Sequence, residues 1–139
     1  MPTDARPPST PLPASILSQG PHLIVSIHTA LDDEQLTRLQ RDLLERVGRE
    51  RSRGILIDVA ALDVLDSFAA NTLAELAYMA QLRGARTVVV GIAPEVAMTL
   101  VRLGVRIPLT QTALDLEEGM ELLAGMGSGA ASLPGTDVR

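Results

Sequence analysis

Asp58, Asp63, Asp66 and Ser67 put three carboxylates and a hydroxyl into one short stretch, Asp58-Val59-Ala60-Ala61-Leu62-Asp63-Val64-Leu65-Asp66-Ser67-Phe68. Clustered carboxylates can accept a phosphoryl group, hold a cation or shape a recognition surface; a serine hydroxyl can attack or be modified. Each chemistry needs partners. Asp58 as a phosphoryl acceptor, with Asp32 and Asp33 holding a metal, also needs a lysine to pair with the phosphoryl group. The chain has no lysine, because all 12 basic residues are arginine. Ser67 as a nucleophile needs a general base, and the only histidines, His22 and His28, lie far off in sequence. They read as surface or strand-edge residues. Two readings of the carboxylates remain. Asp58 and Asp66 serve loop hydrogen bonding and capping, or they shape a surface that keeps the Ser67 hydroxyl accessible to another protein.

The elements around this stretch are legible. Ile55, Leu56 and Ile57 form a continuous apolar run, as in a strand buried on both faces, here placed at 55–59. Phe68 then opens a helical pattern to residue 83, with Thr72, Leu73, Leu76, Met79 and Ala80 on one side. Ser67 falls at the expected N-cap and Gly84 at C′. A helix N-terminus offers unpaired N–H groups and a positive dipole end, so it suits a phosphate; it also suits a capping serine with no further role.

Elsewhere, Ser15 to Gln19 and Leu23 to Ile27 read as strands around a Gly20-Pro21 turn. Asp32 with Gln35 gives a capping-box start, Leu36, Leu39, Leu43 and Val47 line one helical face, and Gly48 is the expected stop. Arg46, Arg49, Arg51 and Arg53, mixed with Glu45 and Glu50, read as a solvated helix end. Arg86 to Ile92 forms another buried strand. Pro94 opens a helix that Gly104 closes, and Val105 to Ile107 makes a short strand ended by Pro108. Asp115 with Glu118 opens a last helix reaching about Ala124, weakened by Gly119 at its centre. Alternating strands and helices call for a largely parallel sheet covered by helices. The domain spans 14–124, between a disordered proline-rich tail at 1–13 and a flexible tail at 125–139.

Composition removes more chemistry than it suggests. A length of 139 residues with 46% hydrophobic content fits one packed domain. With no cysteine there is no disulfide, thiolate nucleophile or zinc–thiolate site. A net charge of −5 and only two aromatic residues, Phe68 and Tyr78, argue against nucleic acid. No apolar run is long enough to span a membrane, and residues 1–8 lack the apolar region of a signal peptide, so a cytoplasmic location is expected. We expect no enzyme, no catalytic residue, no metal and no cofactor.

Leu56-Ile57-Asp58 followed by Leu65-Asp66-Ser67-Phe68 resembles the phospho-switch of STAS domains, the family of bacterial anti-sigma-factor antagonists. The likeness runs on through Arg83-Gly84-Ala85-Arg86-Thr87-Val88-Val89-Val90-Gly91, then residues 92–104 and 111–123, and covers roughly residues 15–124. These stretches are most similar to the small single-domain scaffold proteins of the stressosome. The resemblance implies an α/β fold: one STAS domain with a mostly parallel mixed sheet of about five strands, about four helices, and an antiparallel first strand at one edge. It implies that a partner kinase phosphorylates Ser67, with Asp58, Asp63, Asp66 and Phe68 supporting the switch surface. The implied partners are a serine kinase of the GHKL type and a larger STAS-containing sensor or scaffold protein, in homo- and hetero-oligomers. A free anti-sigma-factor antagonist would use the same serine. A small nucleotide-binding domain is a third reading, disfavoured because no glycine-rich phosphate loop follows any strand.

Overall fold

Ile55, Leu56 and Ile57 are fully buried, and in the computed structural model they form the middle of β3 (Gly54–Asp58), the central strand of a five-stranded sheet. The structure describes residues 13–102, 104 and 110–129. The elements run β1 (Ala14–Gln19), β2 (His22–Ile27), α1 (Asp33–Glu50), β3, α2 (Ser67–Leu82), β4 (Arg86–Val90), α3 (Pro94–Arg102), β5 (Thr110–Ala113) and α4 (Leu116–Gly129). Spatial order equals sequence order, β1-β2-β3-β4-β5. Only the β1–β2 edge hairpin is antiparallel, with Ala14 opposite Ile27 and Gln19 opposite His22.

That order dictates the layers. The parallel strands advance in one direction, so right-handed crossovers set α1, α2 and α3 on the same face. Side chains on each strand alternate accordingly. Leu23, Val25, Ile27, Ile55, Ile57 and Val89 meet Leu36, Leu43, Leu73, Leu76 and Leu100 in the main core. Ile24, Leu56, Val88 and Val90 point the other way, where Leu123 of α4 completes a smaller core. Burial on both faces explains why β3 reads as an unbroken apolar run.

Several boundaries differ from expectation: β3 is Gly54–Asp58 rather than 55–59, and β4 ends at Val90 rather than Ile92. Helix α1 does not stop at Gly48 but runs to Glu50, and Arg51 takes the left-handed cap with φ 55°. Gly48 has another use: a Cβ there would lie 2.8 Å from Arg83 Nη1, so its missing side chain lets that guanidinium pass close to α1. The last helix continues past Ala124 to Gly129. The strand expected at 105–107 lies outside the described residues, whereas Thr110–Ala113 forms the sheet edge. The short polar run Thr-Gln-Thr-Ala carries no apolar alternation to announce it. The expected solvated end of α1 carries a tie across the surface: Arg46 bonds Glu50 at 3.0 Å and Ser18 of β1 at 2.6 Å.

Candidate functional site

Strand β3 ends at Asp58, and α2 begins at Ser67, both at the carboxyl edge of the parallel strands, where open α/β sheets present their ligands. The intervening loop is folded by its own polar groups. Asp58 Oδ1 accepts the Ala60 N–H at 2.9 Å, the Val59 N–H bonds the Val90 carbonyl at 3.0 Å, and the Leu62 N–H bonds the Val59 carbonyl at 3.0 Å. Leu62 and Leu65 are buried in the main core. These two anchors leave Asp63, Val64, Asp66, Ser67 and Phe68 on the outside.

Gly91 is a part of this site that the sequence reading passed over. It sits just after β4 with φ +83°, and a Cβ there would lie 2.6 Å from Ala60 Cβ and 2.9 Å from the Ala60 backbone. Only glycine allows both the left-handed backbone and the close seating of the loop. The usable signal was a glycine inside the apolar run 86–92, since glycine within a strand marks a close backbone approach.

The residue expected to cap α2 is off by one. Asp66, with φ −81° and ψ 175°, is the N-cap, and its Oδ1 accepts the Ala69 N–H at 2.8 Å. Ser67 is the first residue inside the helix. Its hydroxyl makes no hydrogen bond among the described residues and faces solvent. An aspartate competes for the cap as well as serine does, and here its carboxylate also meets the dipole's positive end. At the other end of α2, Gly84 takes φ +90°, the left-handed stop that was expected.

The five residues singled out from sequence therefore fall on one connected segment but in different situations. Asp58 is half-buried and holds the loop; Asp63 and Asp66 are exposed. Phe68, 41% exposed, and Val64, 70% exposed, place apolar surface on either side of Ser67. Asp32 is engaged in a reciprocal capping box with Gln35, at 2.7 and 2.9 Å. Among the described residues no group of three or more His, Cys, Asp or Glu side chains converges as a metal site. His28 lies on the surface against Ser15 Oγ at 3.2 Å, and burial lowers the His22 pKa from its ordinary value. No described helix is long and apolar enough to cross a membrane.

The architecture has named relatives. The STAS domain family matches residues 14–118. The RsbT co-antagonist protein RsbRA of Bacillus subtilis is 32% identical over 91 residues, covering 66% of this chain; the chain spans only 33% of that relative's length. A Moorella thermoacetica RsbS bearing a serine-to-glutamate substitution superposes with a TM-score of 0.74 at 31% identity, covering 83% of this chain and 97% of that one. A chain from the molecular architecture of the stressosome, described as a signal integration and transduction hub, gives 0.67 at 29% identity, covering 81% and 98%. The unphosphorylated anti-sigma factor antagonist SpoIIAA shares the fold at 0.63 with 11% identity, covering 81% and 98%. The exposed serine, the β3–α2 loop and the family match over most of the chain agree: the protein belongs to the STAS domain family.

Proposed function

We propose that this protein is a non-enzymatic phospho-switch and scaffold of a bacterial stressosome. In this reading it holds a GHKL-type serine kinase, co-assembles with a larger STAS-containing, RsbR-like protein, and releases the kinase when Ser67 is phosphorylated. The observation that carries the reading is the Ser67 hydroxyl itself: unbonded and solvent-facing at a helix start, flanked by exposed Val64 and Phe68. Exposed apolar side chains next to this hydroxyl, with the Asp63 and Asp66 carboxylates close by in the chain, suit a protein partner that reads whether the hydroxyl is charged.

The energetics are sufficient. Phosphorylation adds about −1.5 to −2 charges and three acceptor oxygens. A desolvated charge without a partner across an interface costs several kcal/mol of binding, against about 1.4 kcal/mol per tenfold in affinity. Within the domain the same charge is tolerable, because it lies at the positive end of α2. The likeness to an RsbS and to a stressosome chain, each near 30% identity, supports the scaffold reading over the free antagonist. Mixing the protein with the sensor partner and measuring particle mass separates the two: a megadalton-scale assembly is expected, and a persistent monomer or dimer would favour the free antagonist. Incubation with kinase and ATP, followed by mass spectrometry, should place phosphate on Ser67 alone. Label retained in Ser67→Ala would contradict the proposal.

A further inference from the structure

Strand β1 is an edge of the sheet, and its ladder to β2 fixes which of its backbone groups face outward. The Pro13 carbonyl accepts the His28 N–H at 2.8 Å, so these two residues form a hydrogen-bonded pair of the antiparallel ladder. Such pairs recur at every second residue. In the observed register they are Ser15 with Ser26, Leu17 with Ile24 and Gln19 with His22. The backbone N–H and C=O groups of Ala14, Ile16 and Ser18 therefore point away from β2. None of these groups has a hydrogen-bond partner among the described residues.

Free edges are ordinarily blunted by a charge, a proline or a bulge. Ala14–Gln19 has no charged side chain and no proline, and it pairs with β2 without a bulge over its whole length. The nearest charges hold each other: Arg46 and Glu50 are 3.0 Å apart, and both bond Ser18 Oγ. Leu17 lies opposite Ile24, on the α4 side of the sheet, yet stays 60% exposed because α4 packs on β3, β4 and β5.

The strand is also its own complement. A two-fold axis through Ile16, perpendicular to the sheet, sets Ile16 opposite its own copy, Ala14 opposite the second copy's Ser18, and Leu17 opposite the second copy's Ser15. All the outward residues then meet as hydrogen-bonded pairs, and no like charges face each other. A two-fold contact uses the same patch on both subunits and closes at the dimer.

We propose that the β1 edge is a homodimer surface, across which a second copy of this chain continues the sheet antiparallel in this register. The contact does not use Ser67, and its test needs neither kinase nor sensor partner, so it stands apart from the phospho-switch reading. Full-length protein should sediment as a concentration-dependent dimer. Leu17→Lys, at an exposed position, should weaken dimerisation at least about tenfold at an unchanged melting temperature, because the two new charges lie diagonally across the axis. Adding Ser15→Glu places an opposite charge directly across from each and should restore the dimer. Amide exchange should slow with rising protein concentration at residues 14, 16 and 18, and stay constant at 15, 17 and 19. A monomer at all concentrations, a dimer indifferent to Leu17→Lys, or no restoration by Ser15→Glu would overturn the proposal. Protection at 14, 16 and 18 that does not depend on concentration would overturn it too, assigning the edge to a segment of the same chain.

Discussion

The Asp66 carboxylate accepts the Ala69 N–H at 2.8 Å, so the start of α2 is already occupied by a negative charge one residue before Ser67. A phosphate on Ser67 would share that helix start. The dipole and the free N–H groups lower its energy, and the neighbouring carboxylate raises it. The two effects act in opposite directions.

Capping therefore separates the two residues. Asp66→Ala should cost about 1 kcal/mol of stability, within the roughly 0.5–2 kcal/mol range for lost caps. Ser67→Ala should stay within about 0.5 kcal/mol, as for an exposed side chain with no partner. Urea unfolding of both variants checks this. The reverse order would mean that Ser67 caps the helix after all.

Gly119 tests the seating of α4. In an exposed helix, glycine to alanine gains up to about 1 kcal/mol. Here an added Cβ would lie 2.6 Å from Val90 Cγ1 and 2.7 Å from Leu56 Cδ1. Overpacking of this kind costs typically about 1–3 kcal/mol, so Gly119→Ala should be a net loss of about 1 kcal/mol. A gain in a thermal or urea melt would put α4 farther from the sheet.

Thr87 offers a change in the opposite direction. It is 1% exposed, and its Oγ1 is buried without a hydrogen-bond partner among the described residues. Thr87→Val keeps the shape and removes the unsatisfied hydroxyl. We expect a gain of about 1 kcal/mol; destabilisation by that amount would reveal a hydrogen bond to the hydroxyl.

These cases show what was and was not legible in the residues. Strands buried on both faces announce themselves through composition, so β3 and β4 needed no structure, and Asp32 with Gln35 fixed the start of α1. The cap at Asp66 was missed because Asp and Ser are adjacent and equally good N-caps; local sequence does not separate them. Gly119 looked like a weakness of α4 because propensity is local, whereas its use is a contact with Leu56 and Val90 far away in sequence. Gly91 was missed for the same reason. Within the site, the anchoring pair Leu62 and Leu65 was not read from the sequence; their burial shows which side chains the loop turns outward.

Stability should fall as pH drops below neutrality, in part through His22. Burial lowers its pKa from 6.5, so the folded protein resists a proton that the unfolded chain takes up. The contribution is fully present above the unfolded value and is lost as pH falls through it toward the folded one. Urea midpoints at pH 7.5 and 5.5 should differ less in His22→Gln than in the unmodified protein. An identical pH response in both would exclude His22 as a source.

Kinase affinity measured against the state of Ser67 tests the central claim most directly. Surface plasmon resonance should compare unmodified protein, Ser67→Ala, Ser67→Asp and enzymatically phosphorylated protein against the same serine kinase. Ser67→Ala should bind like the unmodified protein, and Ser67→Asp at least about tenfold more weakly, equivalent to roughly 1.4 kcal/mol. The phosphorylated form, with more charge and more acceptor oxygens, should lose still more. All four should keep their melting temperatures within a few degrees and still enter the complex with the sensor partner. Equal kinase affinity for the unmodified and phosphorylated proteins would contradict the switch.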